Sequence, residues 1–208
     1  MRTNSKIAFI GYSGHAFVCV ETAQLLNLDI IGYHDFSEVS KNPYKLTYLG
    51  LEEEFEKHEG MLFGSVGNNS SREKVYRKLS ALNNNIFTTL QHPLAHVSKT
   101  VTIGNNCLIS AGAIINALSQ IDTGCIINTG AIIEHECDIK AFAHIAPGAV
   151  LLGNILVGER SFVGAGAVVK QGVSIGKDVI IGAGAVVIKD IPDNQIVVGN
   201  PAKKLIKK

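Results

Sequence analysis

The chain has 208 residues, a formal net charge of +1, 46% hydrophobic residues and 21 glycines. That length and apolar content suffice for one large domain or two small ones with a real core, and the near-neutral charge excludes a general drive towards nucleic acid or anionic membrane. Met1 to Ile10 has no long apolar stretch, so no signal peptide is visible, and no apolar run reaches the length of a bilayer span. The four cysteines, Cys19, Cys107, Cys125 and Cys137, show neither CxxC nor zinc-ribbon spacing. They read as buried small residues of a cytoplasmic protein kept in a reducing environment.

Residues 1–92 read as an α/β domain with a small parallel, Rossmann-like βαβ sheet. Lys6–Ile10 is a short apolar strand, and Gly11–His15 a tight turn. Ala16–Leu26 has helical apolar spacing, and Asp29–Tyr33 is a second strand ending at His34-Asp35. Met61–Val66 is a third strand, Ser71–Leu82 a helix with charges on one face, and Ile86–Leu90 a fourth strand. The loops at the strand ends are where such sheets bind ligands.

Residues 93–208 follow another rule. Written in sixes from Val97, the first residue of every six down to Val187 is Val, Ile or Leu. With about a third of the region made of these types, chance agreement over the whole array is on the order of 10⁻⁸, so the repeat is real. The fifth place favours Ala or Cys, small enough for a corner beside the large aliphatic residue. Three flat walls of six close a turn of about eighteen residues, which predicts a parallel β-helix of a little over five turns, roughly 25 Å tall. A period of six cannot line one face of an α-helix.

These features together resemble a known family. The sixes, with Gly199-Asn200-Pro201-Ala202-Lys203 at the end, are similar to the left-handed parallel β-helix acyltransferases. The turn Gly11-Tyr12-Ser13-Gly14-His15, the loop Gly67-Asn68-Asn69 with Arg72, and the segment Asn128 to Cys137 narrow the likeness. They resemble the nucleotide-linked amino-sugar N-acetyltransferases of the bacillosamine and perosamine type, with their sialic acid O-acetyltransferase relatives. The resemblance implies an acetyl-CoA-dependent homotrimer acetylating a UDP-, dTDP- or GDP-linked 4-amino-4,6-dideoxy sugar.

Acetyl transfer to an amine needs a base that works near neutral pH. His135 suits that role, with Glu136 to hold its tautomer. From position alone the pair reads equally well as surface residues; the resemblance makes His135 the base. His144, nine residues on, is half an eighteen-residue turn away, so the two histidines face different sides of one prism. They come together only where neighbouring prisms pack, which predicts an active site between subunits. The resemblance places His144 by the thioester, and Gly153, Ala165 and Ala183 along acetyl-CoA; Gly153 N–H is a candidate oxyanion donor. Lys203 with Lys204, in a basic tail that reads equally as solvated, is a candidate for the CoA phosphates.

Gly11, Ser13, Gly14 and His15 open a helix whose N-terminus suits phosphate, and the resemblance assigns them, with Asp35, Gly67, Asn68, Asn69 and Asn128, to the nucleotide sugar. Where the bacillosamine type has two acidic residues this chain has His34-Asp35, so the nucleotide stays open. A zinc site of the three-histidine kind lacks a third ligand, since His92 and His96 precede the array, and no metal is expected. Two alternatives stand beside N-acetylation: sugar O-acetylation with the same base, and a non-catalytic nucleotide-sugar-binding trimer.

Overall fold

The computed structural model describes residues 5–57, 60–82 and 87–205. It divides the chain into two compact units, Met1–Pro93 and Leu94–Lys208.

In the first unit, β1 (Lys6–Ile10) lies between β2 (Asp29–His34) and β3 (Met61–Gly64) in a parallel sheet. Ile7, Ala8, Phe9 and Ile10 are almost fully buried, as expected of a central strand covered on both faces. Helix α1 (Gly14–Leu25) buries Ala16, Cys19, Val20 and Ala23. It begins two residues before its apolar pattern does, so Gly14 and His15 belong to the helix and not to the turn. Helix α2 (Asn69–Ser80) also starts early, because the side chain of Asn68 accepts the Ser71 N–H at 3.0 Å as an N-cap. The fourth strand expected from Ile86 is reduced to one bridge between Phe87 and Leu62 and a two-residue strand at Leu90–Gln91; Ile86 itself lies outside the described residues.

The second unit is the expected parallel β-helix. Sixteen two-residue strands, from His96–Val97 to Val186–Val187, recur every six residues and stack every eighteen, as in Ile126–Ile127 upon His144–Ile145. They form three walls, and Ile196–Val198 adds one strand, bringing the coil close to six turns. Every first-place residue lies in the core or packs against it, each contributing roughly 1.5–3 kcal/mol where fully buried.

The other places have their own rules. From Asn106 to Gly184, every fourth-place residue has a left-handed backbone, with φ between +54° and +75°. Seven of these are glycine and seven are not. The fifth place holds buried Ile155, Val173 and Val179 as well as small residues, so small size is not a requirement there. Where the residue is Ser or Cys, it donates to a carbonyl of the next turn: Ser119 Oγ to Glu134 O (2.8 Å), Ser161 Oγ to Gly176 O (2.6 Å), Cys125 Sγ to Lys140 O (3.2 Å) and Cys137 Sγ to Leu152 O (3.2 Å). All four cysteines are buried and none is disulfide-bonded. Among the described residues no helix is long and apolar enough to cross a membrane.

Candidate active site

In the first unit, Tyr12 pairs with the end of β2. Its N–H donates to Asp35 Oδ2 at 2.9 Å, while the Phe36 N–H donates to Asp35 Oδ1 at 2.8 Å. Asp35 therefore uses both oxygens to fasten the turn. Tyr12 is buried, stacks on Tyr33 at 4.4 Å and donates through its hydroxyl to Asn42 Oδ1 at 3.0 Å. This platform supports an open cleft of about 510 Å³ at the start of α1, bordered by Ser13, Gly14, Phe17 and the loop from Ser37 to Lys41. Ser13 precedes the helix yet makes no side-chain cap, and it stays exposed at the mouth. Phe17 and Lys41, whose ammonium sits 5.6 Å from the Phe17 ring centre, were not among the expected site residues. Their signal, an aromatic one turn into the helix and a lysine in a long loop, is too common to single out.

On the far side of the turn, Arg72 is almost fully buried. It donates to the carbonyls of Val66 and Gly67, both at 3.0 Å, and to Asn69 Oδ1 at 2.9 Å. Asn68 and Asn69 thus cap a helix and hold an arginine, which accounts for both without a ligand. Gly67 approaches His15: a Cβ at Gly67 would stand 3.5 Å from that of His15. Burial, and then the neighbouring Arg72 charge, pushes the His15 pKa down to about 4. With no anion beside it, His15 is therefore held in its neutral form at physiological pH.

In the prism, His135 and Glu136 occupy the corner between two walls. Glu136 sits at φ +59°. Its Oε2 lies 3.0 Å from His135 Nδ1, with both side chains about half exposed. A carboxylate accepts only, so Nδ1 carries the hydrogen and Nε2 is left as the proton acceptor. Gly153 lies one coil on in the same column, against the imidazole.

His144 projects from a different wall, where its column neighbours are Ile126 and Phe162. The Phe162 ring meets it edge-on at 5.0 Å. Asn128 Oδ1 accepts the Thr129 N–H at 2.8 Å, which turns its Nδ2 towards His144 Nε2 at 3.1 Å. That contact makes Nε2 of His144 an acceptor and leaves its proton on Nδ1. The two histidines are therefore held in the same tautomer, with the proton on Nδ1; they differ in that Nε2 of His144 accepts from Asn128. Asn128, expected at the sugar, works here on His144.

The residues expected along acetyl-CoA are not all neighbours. Ala165 and Ala183 stack on one exposed corner, eighteen residues apart, whereas Gly153 belongs to the His135 corner. Lys203 is exposed beside a cleft of about 210 Å³ that also takes in Lys189, Ile191 and Pro201. Lys189 is in the His135 column, three coils on, or roughly 14 Å at the usual strand spacing. Among the described residues no group of three or more His, Cys, Asp or Glu is placed to hold a metal ion.

A hexapeptide prism bearing a histidine–carboxylate pair on one corner, preceded by a parallel-sheet unit with an anion-ready helix start, defines a transferase of the hexapeptide class. The family comparisons agree. The PglD N-terminal domain matches residues 6–79, the bacterial transferase hexapeptide family residues 154–189, and the hexapeptide repeat of succinyl-transferase residues 98–117. The structure is similar to that of PerB from Caulobacter crescentus in complex with CoA and GDP-perosamine, with 36% identity, 96% of this chain and 97% of that one covered, and a TM-score of 0.88. It is similar to the acetyltransferase domain of PglB from Neisseria gonorrhoeae in complex with acetyl coenzyme A, with 35% identity, 98% and 100% covered, and a TM-score of 0.90. WeeI from Acinetobacter baumannii is 26% identical over 96% of this chain and 99% of that one, with a TM-score of 0.86. No curated protein shows a significant match. The chain belongs to the PglD-type hexapeptide-repeat N-acetyltransferase family, with the PerB and PglB enzymes as relatives.

Proposed function

We propose that the protein transfers the acetyl group of acetyl-CoA to the amino group of a nucleotide-linked 4-amino-4,6-dideoxy sugar. The observation that carries this reading is the His135–Glu136 pair, in a chain that shares over a third of its residues with an enzyme solved with CoA and GDP-perosamine. The amine nitrogen attacks the thioester carbonyl carbon, and His135 Nε2 takes the proton that the amine sheds. The C–S bond breaks, and the CoA thiolate leaves and takes the proton from the His135 imidazolium, which returns the base to its neutral form. Glu136 keeps Nε2 in its acceptor form and stabilises the imidazolium; such a base contributes roughly 10²–10⁴ in rate. His144, with its proton on Nδ1, serves as a donor near the thioester rather than as a second base.

Acetyl-CoA then lies along the prism, its thioester by His135 and Gly153 and its phosphates towards the cleft of Lys189 and Lys203. The nucleotide occupies the cleft at the start of α1, where the Ser13 hydroxyl and the first N–H groups of the helix donate to the diphosphate oxygens. Two features support a homotrimer with active sites between subunits. His135 and His144 belong to separate parts of one prism, and one wall presents a half-buried aliphatic column of Ile114, Ile132, Val150, Val168 and Val186. Light scattering should give three times the 22.2 kDa of one chain. Reliance on acetyl-CoA and the four buried thiols favour the cytoplasm.

The test is CoA thiol release from acetyl-CoA with a panel of nucleotide-linked 4-amino sugars, each beside its hydroxyl analogue. Release with an amino sugar, and its loss in His135→Ala, is the expected result. Preference for the hydroxyl analogue would instead make the protein an O-acetyltransferase. No release with any acceptor would leave a sugar-binding trimer.

A further inference from the structure

Gly153 is the one glycine among the sixteen third-place residues of the array, which elsewhere hold Lys, Asn, Ala, Thr, His, Pro, Glu or Gln. Its backbone does not explain this, since its φ is outside the left-handed range where glycine is favoured. Space does. A Cβ on Gly153 would lie 2.4 Å from Cε1, 2.6 Å from Nε2 and 3.0 Å from Nδ1 of His135. Real Cβ contacts are not that short, and three atoms of one flat ring are involved. The imidazole thus fills the volume that any other residue at 153 would need. It does so while Nδ1 stays 3.0 Å from Glu136.

We infer that Gly153 is a positioning residue for His135. Its missing side chain is the seat that holds the imidazole folded down the column, in the rotamer where Glu136 can grip Nδ1. With a methyl group in the seat, the ring must rotate about χ1 and swing out, because the β-helix backbone behind it is fixed by the ladder hydrogen bonds of Asn154 N–H to His135 O (2.8 Å) and Gly172 N–H to Gly153 O (3.0 Å). Nε2 then leaves its place by an ångström or more, a displacement that typically costs about a hundredfold in rate. The inference rests on His135 being the base, and it differs from a role for Gly153 as a backbone donor, because alanine keeps the N–H.

The experiment is a cycle of four full-length proteins: wild type, Gly153→Ala, His135→Ala and the double variant. Their thermal midpoints need no substrate. Gly153→Ala should lower the midpoint by a few degrees in wild type and by much less in the His135→Ala background, where the seat is empty. If Gly153→Ala fails to fold alone but folds as the double variant, the same conclusion holds; equal damage in both backgrounds overturns it. With the 4-amino sugar nucleotide that gives the highest rate in the panel above, Gly153→Ala should lose about a hundredfold in kcat, with KM for acetyl-CoA and for the sugar within threefold. Wild-type kcat in Gly153→Ala, with His135→Ala inactive, overturns the positioning role and leaves the base in place. Activity retained in His135→Ala instead removes the base, and the thermal cycle still decides whether the seat exists.

Discussion

Replacing Glu136 by glycine separates what the corner of the prism demands from what the chemistry demands. At φ +59° a residue other than glycine costs roughly 1–2 kcal/mol. Glycine removes that strain but gives the unfolded chain roughly 0.5–1 kcal/mol of extra freedom. The contact given up joins a ring 49% exposed to a carboxylate 57% exposed, and in water such a pair is worth roughly 0.2–1 kcal/mol. These terms nearly cancel, so stability should change by no more than about 1 kcal/mol, or about 4 °C in thermal midpoint for a chain of this size. Turnover has no such cancellation. Without the carboxylate the His135 proton is no longer confined to Nδ1, and CoA release should fall by roughly ten- to a hundredfold, a share of what a general base supplies. Glu136→Gln keeps the strain and can donate to Nδ1, favouring the wrong tautomer, so it should be at least as inactive. Scanning calorimetry and thiol release on the same preparations give both readings. A Glu136→Gly protein that loses more than about 2 kcal/mol, or that turns over like wild type, would refute the reasoning.

Other predictions address the scaffold. The His15 pKa falls from 6.5 to about 4 on folding. Above pH 6.5 the group is neutral in both states and adds no pH dependence; as pH falls from 6.5 to 4 the unfolded chain takes up a proton that the folded one refuses. Stability should decline across that window by up to about 3 kcal/mol, and denaturation midpoints of His15→Asn should lack that part of the slope. Arg160 and Asp178 both hold left-handed corners and form a two-pronged pair, with Nε–Oδ1 and Nη2–Oδ2 both 2.7 Å. Arg160→Lys cannot reproduce the fork and should lose about 1–2 kcal/mol by urea titration. Ser161 Oγ also accepts the Val179 N–H at 2.9 Å, so Ser161→Ala strands a buried donor and should cost roughly 1–3 kcal/mol. Cys125→Ser places a hydroxyl at the same place of the repeat where Ser119 and Ser161 already work, and its stability by urea titration should change by less than about 1 kcal/mol.

The prism was legible because its rule is periodic. A core aliphatic every sixth residue leaves a signal that sixteen repetitions raise far above chance, and the same register gave the wall on which His144 lies and the corner on which His135 lies. The N-terminal unit was legible only as alternating elements. Its helix starts moved because Asn68 caps α2 and because the apolar pattern of α1 begins two residues after the helix does. Individual roles there were harder to see. Asp35, Asn68 and Asn69 look like ligand-binding residues in sequence, yet each spends its side chain on a backbone N–H or on Arg72. A polar residue in a strand-end loop serves a ligand or the loop itself, and only the direction of its side chain decides which. Gly153 was singled out for its N–H; the reason for its being glycine depends on a neighbour eighteen residues away.

In a fold this regular, a departure from the repeat that packing does not demand points to function. Four fourth-place residues, Leu118, Glu136, Phe142 and Arg160, accept a left-handed backbone without being Gly, Asn or Asp. Phe142 is buried against Gly124, where a Cβ would stand 2.3 Å from its ring. Arg160 is explained by Asp178 one coil on. Glu136 has neither burial nor a rigid partner; it has a half-exposed histidine. Its neighbour His135 sits on the one third-place glycine, and His144 interrupts an outward column that is otherwise Leu108, Ile126, Phe162 and Ile180. A structural account covers Phe142 and Arg160, nothing in the structure explains exposed Leu118, and Gly153 answers only to the imidazole beside it, which leaves Glu136 and His144. In the proposed reaction, Glu136 and Gly153 aim one imidazole as a base, and His144 supplies a second as a donor.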